Sequence, residues 1–192
     1  MMGAVLAGCS SDNDVMNNEE NKSAAKGDSY IAVNIVNPGV GSRAAANGTP
    51  EENEVKSALS VFFNDNGGFV QAADVPASDF SWDDGTDPAS KISNAVIVLE
   101  RPTTYPTQVV ALLNTDLNAK SVDGMSLSAI QDVYGDYIDT ANGFAMSNSV
   151  YNDGTKDVVA TQLTDANIQS NKELAKENPV IISVERVLAK VS

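Results

Sequence analysis

The chain predicts a mainly β fold, an antiparallel β-sandwich of about seven strands with one or two short helices. Three observations carry that expectation. Apolar runs of strand length recur from residue 29 to residue 191, separated by clusters of Gly, Pro, Asn, Asp and Ser. Several of the runs alternate apolar and polar residues with a period of two. Valine, threonine, serine and asparagine are plentiful, whereas leucine-rich helical runs are scarce. The 192 residues divide into a signal remnant with a polar tether, 1–28, and one sandwich domain, 29–192.

The first strand spans 29–36. Ile31, Val33 and Ile35 fall on one face, Ala32 and Asn34 on the other. Asn37-Pro38-Gly39 ends it, because proline offers no N–H to a ladder and glycine tolerates turn dihedrals. The following small and polar segment, which contains Arg43, has the composition of an exposed linker. Val55–Phe63 reads as the second strand, with Val55, Ser57, Leu59, Val61 and Phe63 pointing one way, and Asn64-Asp65-Asn66-Gly67-Gly68 as a hairpin turn into a short strand from Phe69 to Ala73. Residues 74–90 read as a loop. Ile92–Glu100 and Thr107–Leu113 are nearly continuous apolar runs, which fits strands buried in a sandwich. After a loop over 114–124, Leu127, Ile130, Val133 and Tyr134 recur near helical spacing behind Ser126, a candidate N-cap. Gly143–Tyr151 is expected as a strand turned by Asn152-Asp153-Gly154, with a further strand over 158–163. A helical turn is expected at 171–176, broken by Pro179, and then one long closing strand, 180–191, with Ile182, Val184, Arg186, Leu188 and Lys190 on one side.

Charge and composition exclude several functions. The formal net charge is −14 and no basic residues cluster. Nucleic acid and anionic membrane surfaces both require Lys/Arg patches, so neither is an expected partner. The chain has no histidine, which removes Ser-His-Asp and Cys-His catalysis and His-ligated zinc. No Gly-rich loop precedes a helix in phosphate-binding or dinucleotide form, so no cofactor is implied. Asp83, Asp84 and Asp87 in WDDGTDP could hold Ca²⁺ through oxygen ligands, but their spacing is not that of an EF-hand and an Asp/Gly turn is the commoner explanation. Asp132, Asp136 and Asp139 fall around an expected short helix and loop, and glycosidase chemistry is not expected of them. No enzyme activity is expected overall.

Two single residues carry the positive signals. Cys9, the only cysteine, follows Leu6-Ala7-Gly8 and precedes the polar stretch SSDNDVMNNEENKSAAKGDS. That is the pattern of a bacterial lipobox, in which the signal is cut just before the cysteine and a diacylglyceryl thioether forms on its sulfur. The apolar run begins at Met1 without a basic n-region, so the true start is expected upstream. A lipid on Cys9 would be the only membrane anchor, because no stretch is long enough to span a bilayer. Among the three arginines, Arg101 precedes Pro102 and Arg186 lies inside an expected strand. Arg43 alone stands in a small-residue context, where a protease would find the Arg43–Ala44 bond accessible.

The lipobox at Cys9, the strand ending in GSRAAANG, the runs TQVVALLNT and FAMSNS, and the closing SVERVLAKV occur in one order along the chain. Together they resemble the N-terminal domain of the FimA-type (type V) fimbrial subunits of the Bacteroidales. The resemblance implies a Greek-key, transthyretin-like sandwich. It also implies a lipoprotein precursor lipidated at Cys9 and carried to the outer membrane, then cut between Arg43 and Ala44 by an arginine-specific protease. The strand of Tyr30, Ile31, Val33 and Ile35 would be displaceable, its place taken by a strand of another subunit, with other fimbrial subunits, anchor and tip proteins as partners. In that family the donor strand lies in a C-terminal domain, so the polypeptide is expected to continue beyond residue 192. The alternative is a tip protein or another surface lipoprotein whose loops hold a ligand.

Overall fold

In the computed structural model the described residues are 27–36, 55–79, 81–82, 92–134, 145–152, 155–158 and 160–186. Strand β1 (Ser29–Val36) is followed by β2 (Ser57–Phe63) and β3 (Phe69–Pro76), and a 3-10 turn (Ala77–Asp79) leads to β4 (Ser81–Trp82). Next come β5 (Ile92–Leu99), β6 (Gln108–Leu113) and helix α1 (Leu127–Tyr134). Short strands follow, β7 (Met146–Ser147), β8 (Ser149–Asn152), β9 (Thr155–Val158) and β10 (Thr161–Gln162). Helix α2 (Lys172–Glu177), β11 (Val180–Ser183) and β12 (Glu185–Arg186) complete the order.

The strands form two main sheets, which is the mainly β sandwich with two short helices that the sequence leads one to expect. One sheet has the order β11-β1-β5-β4. The other runs β12-β7-β6-β2-β3, with β10 joining β7 on the same edge of β6. Strands β8 and β9 form a separate hairpin. Pairing is antiparallel throughout except between β1 and β11, which run parallel.

Between the two sheets lies the first core. Ile31, Val33 and Ile35 of β1, Ala95, Ile97 and Leu99 of β5, and Val180 and Ile182 of β11 come from one sheet. Ala58 and Phe62 of β2, Val109, Ala111 and Leu113 of β6, and Met146 of β7 meet them from the other. A second core covers the opposite face of the larger sheet. Leu59, Val61 and Phe63 of β2 and Val110 and Leu112 of β6 pack there under Leu117 and Val122 of the 114–124 loop and Ile130 of α1. The near-continuous apolar sequences of β2 and β6 follow from this, since both of their faces are covered. Asp74 ties the covering loop down by accepting from the Ala119 N–H at 2.9 Å.

Local signals operate where the sequence places them. Asn64 Oδ1 accepts from Asn66 N (3.0 Å) and Gly68 N (2.8 Å), and Gly67 takes φ +73°, which closes the β2–β3 hairpin. Ser126 Oγ accepts from Ala129 N at the start of α1, and Asn171 Oδ1 from Leu174 N at the start of α2. Five expectations need correction. The strand expected to end at Ala73 runs to Pro76. Val55 belongs to the first core rather than sharing the face of Leu59, because the strand begins only at Ser57. The 143–151 strand is interrupted at Asn148, and the 158–163 strand is replaced by the end of β9 and by β10. The closing run breaks at Val184: β11 pairs with β1 in one sheet, β12 with β7 in the other. Val184 N donates to Val36 O at 2.9 Å, the last bond to the first sheet before the chain crosses over.

Candidate functional site

The candidate site is the slot that β1 fills. One edge of β1 pairs with β5 along all eight residues, from Ser29↔Leu99 to Val36↔Ile92. The other edge is assembled from pieces of a single later segment. Tyr30 exchanges both backbone bonds with Gln169, 2.8 Å from Tyr30 N to Gln169 O and 3.0 Å back. Val33–Val36 then pair in parallel with Val180–Ser183, and Val184 closes the edge on Val36. Strand β1 is therefore interior to its sheet and is the only ladder partner β11 has among the described residues.

The two rows of β1 side chains meet different surroundings. Ile31 and Val33 are 0% exposed and Ile35 is 2%. Ser29 is buried in the same row. In the opposite row Tyr30, Asn34 and Val36 are half-buried, but Ala32 is only 4% exposed. Helix α2 packs across β1 and β5, and its buried residue is Ala175. The helix is well bounded. Asn171 caps its N-terminus, and Asn178 Nδ2 donates to Leu174 O while Asn178 O accepts from Asn167 Nδ2.

Two side-chain amides guard the strand edges nearby, a feature the sequence did not announce. Gln71 Nε2 donates to Val98 O (2.9 Å) and its Oε1 accepts from Glu100 N (3.0 Å), filling β5 beyond the reach of β4. Asn148 does the same for β6, in the gap between β7 and β10. Its Oδ1 accepts from Ala111 N (2.9 Å), and its Nδ2 donates to Val109 O (3.0 Å) and Thr161 Oγ1 (3.1 Å). Each amide stands in for one peptide of a missing strand, and an edge so satisfied offers little to an incoming one. The slot under β1 differs, because there the edges are satisfied by β1 itself.

Of the residues singled out from sequence, the structure brings Tyr30, Ile31, Val33 and Ile35 into this slot. Cys9, Arg43, Ala44, Asp83, Asp84, Asp87, Asp136 and Asp139 lie outside the described residues. Asp132 is exposed on α1. Arg101 is exposed in the β5–β6 turn with φ 42°, and Arg186 sits in β12 opposite Met146. Gln169 and Ala175 were missed, and Val184 was read only as one residue of a continuous closing strand. Nothing local in their sequence marks them, and each matters only because the chain returns to β1.

No protein-family model and no curated protein matches the chain. Among solved structures it is similar to the crystal structure of a fimbrial assembly protein from Parabacteroides distasonis ATCC 8503, with a TM-score of 0.50 and 14% sequence identity. The match covers 82% of this chain and 53% of that one, so this chain spans about half the length of the protein it resembles. At that identity the likeness is one of architecture, and what it establishes is that this β-sandwich has a fimbrial-type fold.

Proposed function

We propose that the chain is a structural subunit of a cell-surface fimbria that polymerises by strand exchange at the β1 slot and serves in adhesion and colonisation. In this reading Cys9 carries the lipid that holds the precursor at the outer membrane, and residues up to 28 form its tether. An arginine-specific protease cuts between Arg43 and Ala44. Strand β1 then leaves with everything N-terminal to the cut, and a strand of a neighbouring subunit takes its place.

The observation that carries the proposal is the position of β1, interior to a sheet yet joined to the other described elements by the one connection after Val36. Burial of Ile31, Val33 and Ile35 contributes about 5–9 kcal/mol, at roughly 1.5–3 kcal/mol for each side chain, and that apolar surface would be uncovered on departure. Strands β5 and β11 would both lose their backbone partners, and unpaired edges recruit strands. A strand supplied by another subunit repairs both losses together. Repeated head to tail, such a contact does not close and so yields a filament. Cleavage is the switch because a tethered strand holds its slot at an effective concentration that a severed strand lacks. The fimbrial-type fold supports the same reading.

The test is an Arg43→Ala precursor beside the unaltered one, both made in a host that exports and lipidates them and both treated with an arginine-specific protease. With both precursors carrying the C-terminal segment expected beyond residue 192, the unaltered protein should form filaments by electron microscopy, and Arg43→Ala should remain a lipidated monomer. Filaments from Arg43→Ala would refute protease gating.

A further inference from the structure

We infer that the β1 slot selects its donor strand by size at one position: the residue that takes the place of Ala32 must be small. This rests on the strand-exchange reading and deepens it by specifying the partner. The argument begins with the outer row of β1. Tyr30, Asn34 and Val36 are half-buried there, and side chains of quite different size and polarity fit. Ala32 in the middle of that row is 4% exposed. Its neighbour on β5 is Val96, half-buried, so the pairing strand alone does not cover it.

The cover assigned here is α2, which packs against β1, and its attachment shows what holds it over a seated strand. The segment enters at Gln169, bonded to Tyr30 through both backbone groups, and re-emerges at Val180, paired with Val33. Both ends of the segment that holds the helix are thus pinned to the same strand, on either side of Ala32. Between the pins, Asn171 and Asn178 fix the helix ends, and Ala175, 0% exposed, is the residue α2 buries. Helix α2 packs against β1, and the residue it buries and the residue buried in the middle of the strand's outer row are both alanine.

A strand that replaces β1 must pass beneath this strap while rebuilding its pins. It therefore needs apolar side chains where Ile31, Val33 and Ile35 stand and Gly, Ala or Ser where Ala32 stands, with latitude at the positions of Tyr30, Asn34 and Val36. The partner is an extended peptide segment of the pattern apolar–small–apolar–any–apolar. The small residue also fixes register. A slip of two residues keeps the apolar row facing inward but brings a larger side chain under the helix.

The experiment uses the full chain after treatment with the arginine-specific protease, equilibrated with fluorescent peptides and followed by anisotropy. The peptides are SYIAVNIV, copied from residues 29–36, and three variants with serine in Ala32's place, leucine in Ala32's place, or leucine in Asn34's place. The parent, the serine variant and the Asn34-position variant should bind within about threefold of one another, and leucine in Ala32's place should weaken binding on the order of tenfold or more, as overpacking does. Binding of that peptide within about threefold of the parent overturns the size rule and leaves strand exchange standing. Failure of all four peptides to bind overturns the exchange reading, and this inference with it. In the uncut chain, Ala32→Leu should lower the urea midpoint and Asn34→Leu should not, with Ala175→Gly restoring part of the loss in the Ala32→Leu background. Equal midpoints for the two leucine variants would also overturn the size rule.

Discussion

Truncating Ile31 to alanine measures how firmly β1 is seated. Ile31 is 0% exposed and faces the core between the sheets. The change removes three carbons, worth about 2.4 kcal/mol of transfer at roughly 0.8 kcal/mol each. The cavity left among packed neighbours raises the expected cost to about 2–5 kcal/mol, because an interior held by two sheets relaxes only in part. Val36→Ala, on the half-buried row of the same strand, should stay within about 0.5 kcal/mol of the parent. Urea denaturation of both variants reads the difference, with the slope of free energy against urea unchanged if only stability has moved. Amide exchange supplies the structural half. The amides of Tyr30, Gln169 and Val184 each bond across a β1 edge, so all three should lose protection together in Ile31→Ala. Equal and small losses at Ile31 and Val36 would refute the insertion of β1 between β5 and β11, and the exchange reading would lose its slot.

Two further predictions concern groups that support the slot's surroundings. Asn148→Ala removes three hydrogen bonds and strands Ala111 N and Val109 O inside the protein; it should cost about 1–3 kcal/mol for each unpaired group and raise the exchange rate of the Ala111 amide. Ser60→Ala and Ser147→Ala should be neutral or raise the melting temperature, because both hydroxyls are fully buried without a hydrogen-bond partner among the described residues, and a large loss in either would show that the hydroxyl has a partner.

Much of the architecture is legible in the sequence because its cause is local. Alternation along 29–36 does place Ile31, Val33 and Ile35 inward. The Asn/Gly cluster after Phe63 does make a hairpin, and Ser126 and Asn171 do cap helices. What escapes is whatever depends on which partner a strand finds. A period of two reads the same whichever sheet receives the strand, so the crossing at Val184 is invisible in the run 180–191. Asn148 reads as an ordinary strand residue until its amide is seen replacing a peptide on β6. The second core escapes as well, since Leu117 and Val122 lie in a segment that is irregular by composition and apolar only at the residues it buries. Ala32 reads as a residue of the face opposite the apolar row, yet it is 4% exposed where Tyr30, Asn34 and Val36 beside it are half-buried.

The distribution of these contacts also bears on why β1, rather than another strand, would be the exchangeable one. Removing β2 or β6 would open both cores at once, since each contributes to both. Removing β4 or β11, the outer strands of the smaller sheet, would uncover one edge and leave no slot between two strands. Strand β5 is interior, but chain leaves it at both ends toward described elements, so freeing it takes two cuts. Strand β1 touches the first core alone, lies between two partners, and separates from the other described elements with one cut after Val36. Its loss leaves the larger sheet and the second core intact, a folded base on which an incoming strand can be templated. The segment from Gln169 to Val184 would lose its support at the same moment, because its pins are on β1. A donor strand that restores those pins therefore recovers the helix, the parallel ladder and the core face together, and the site is expected to be either properly filled or locally unfolded.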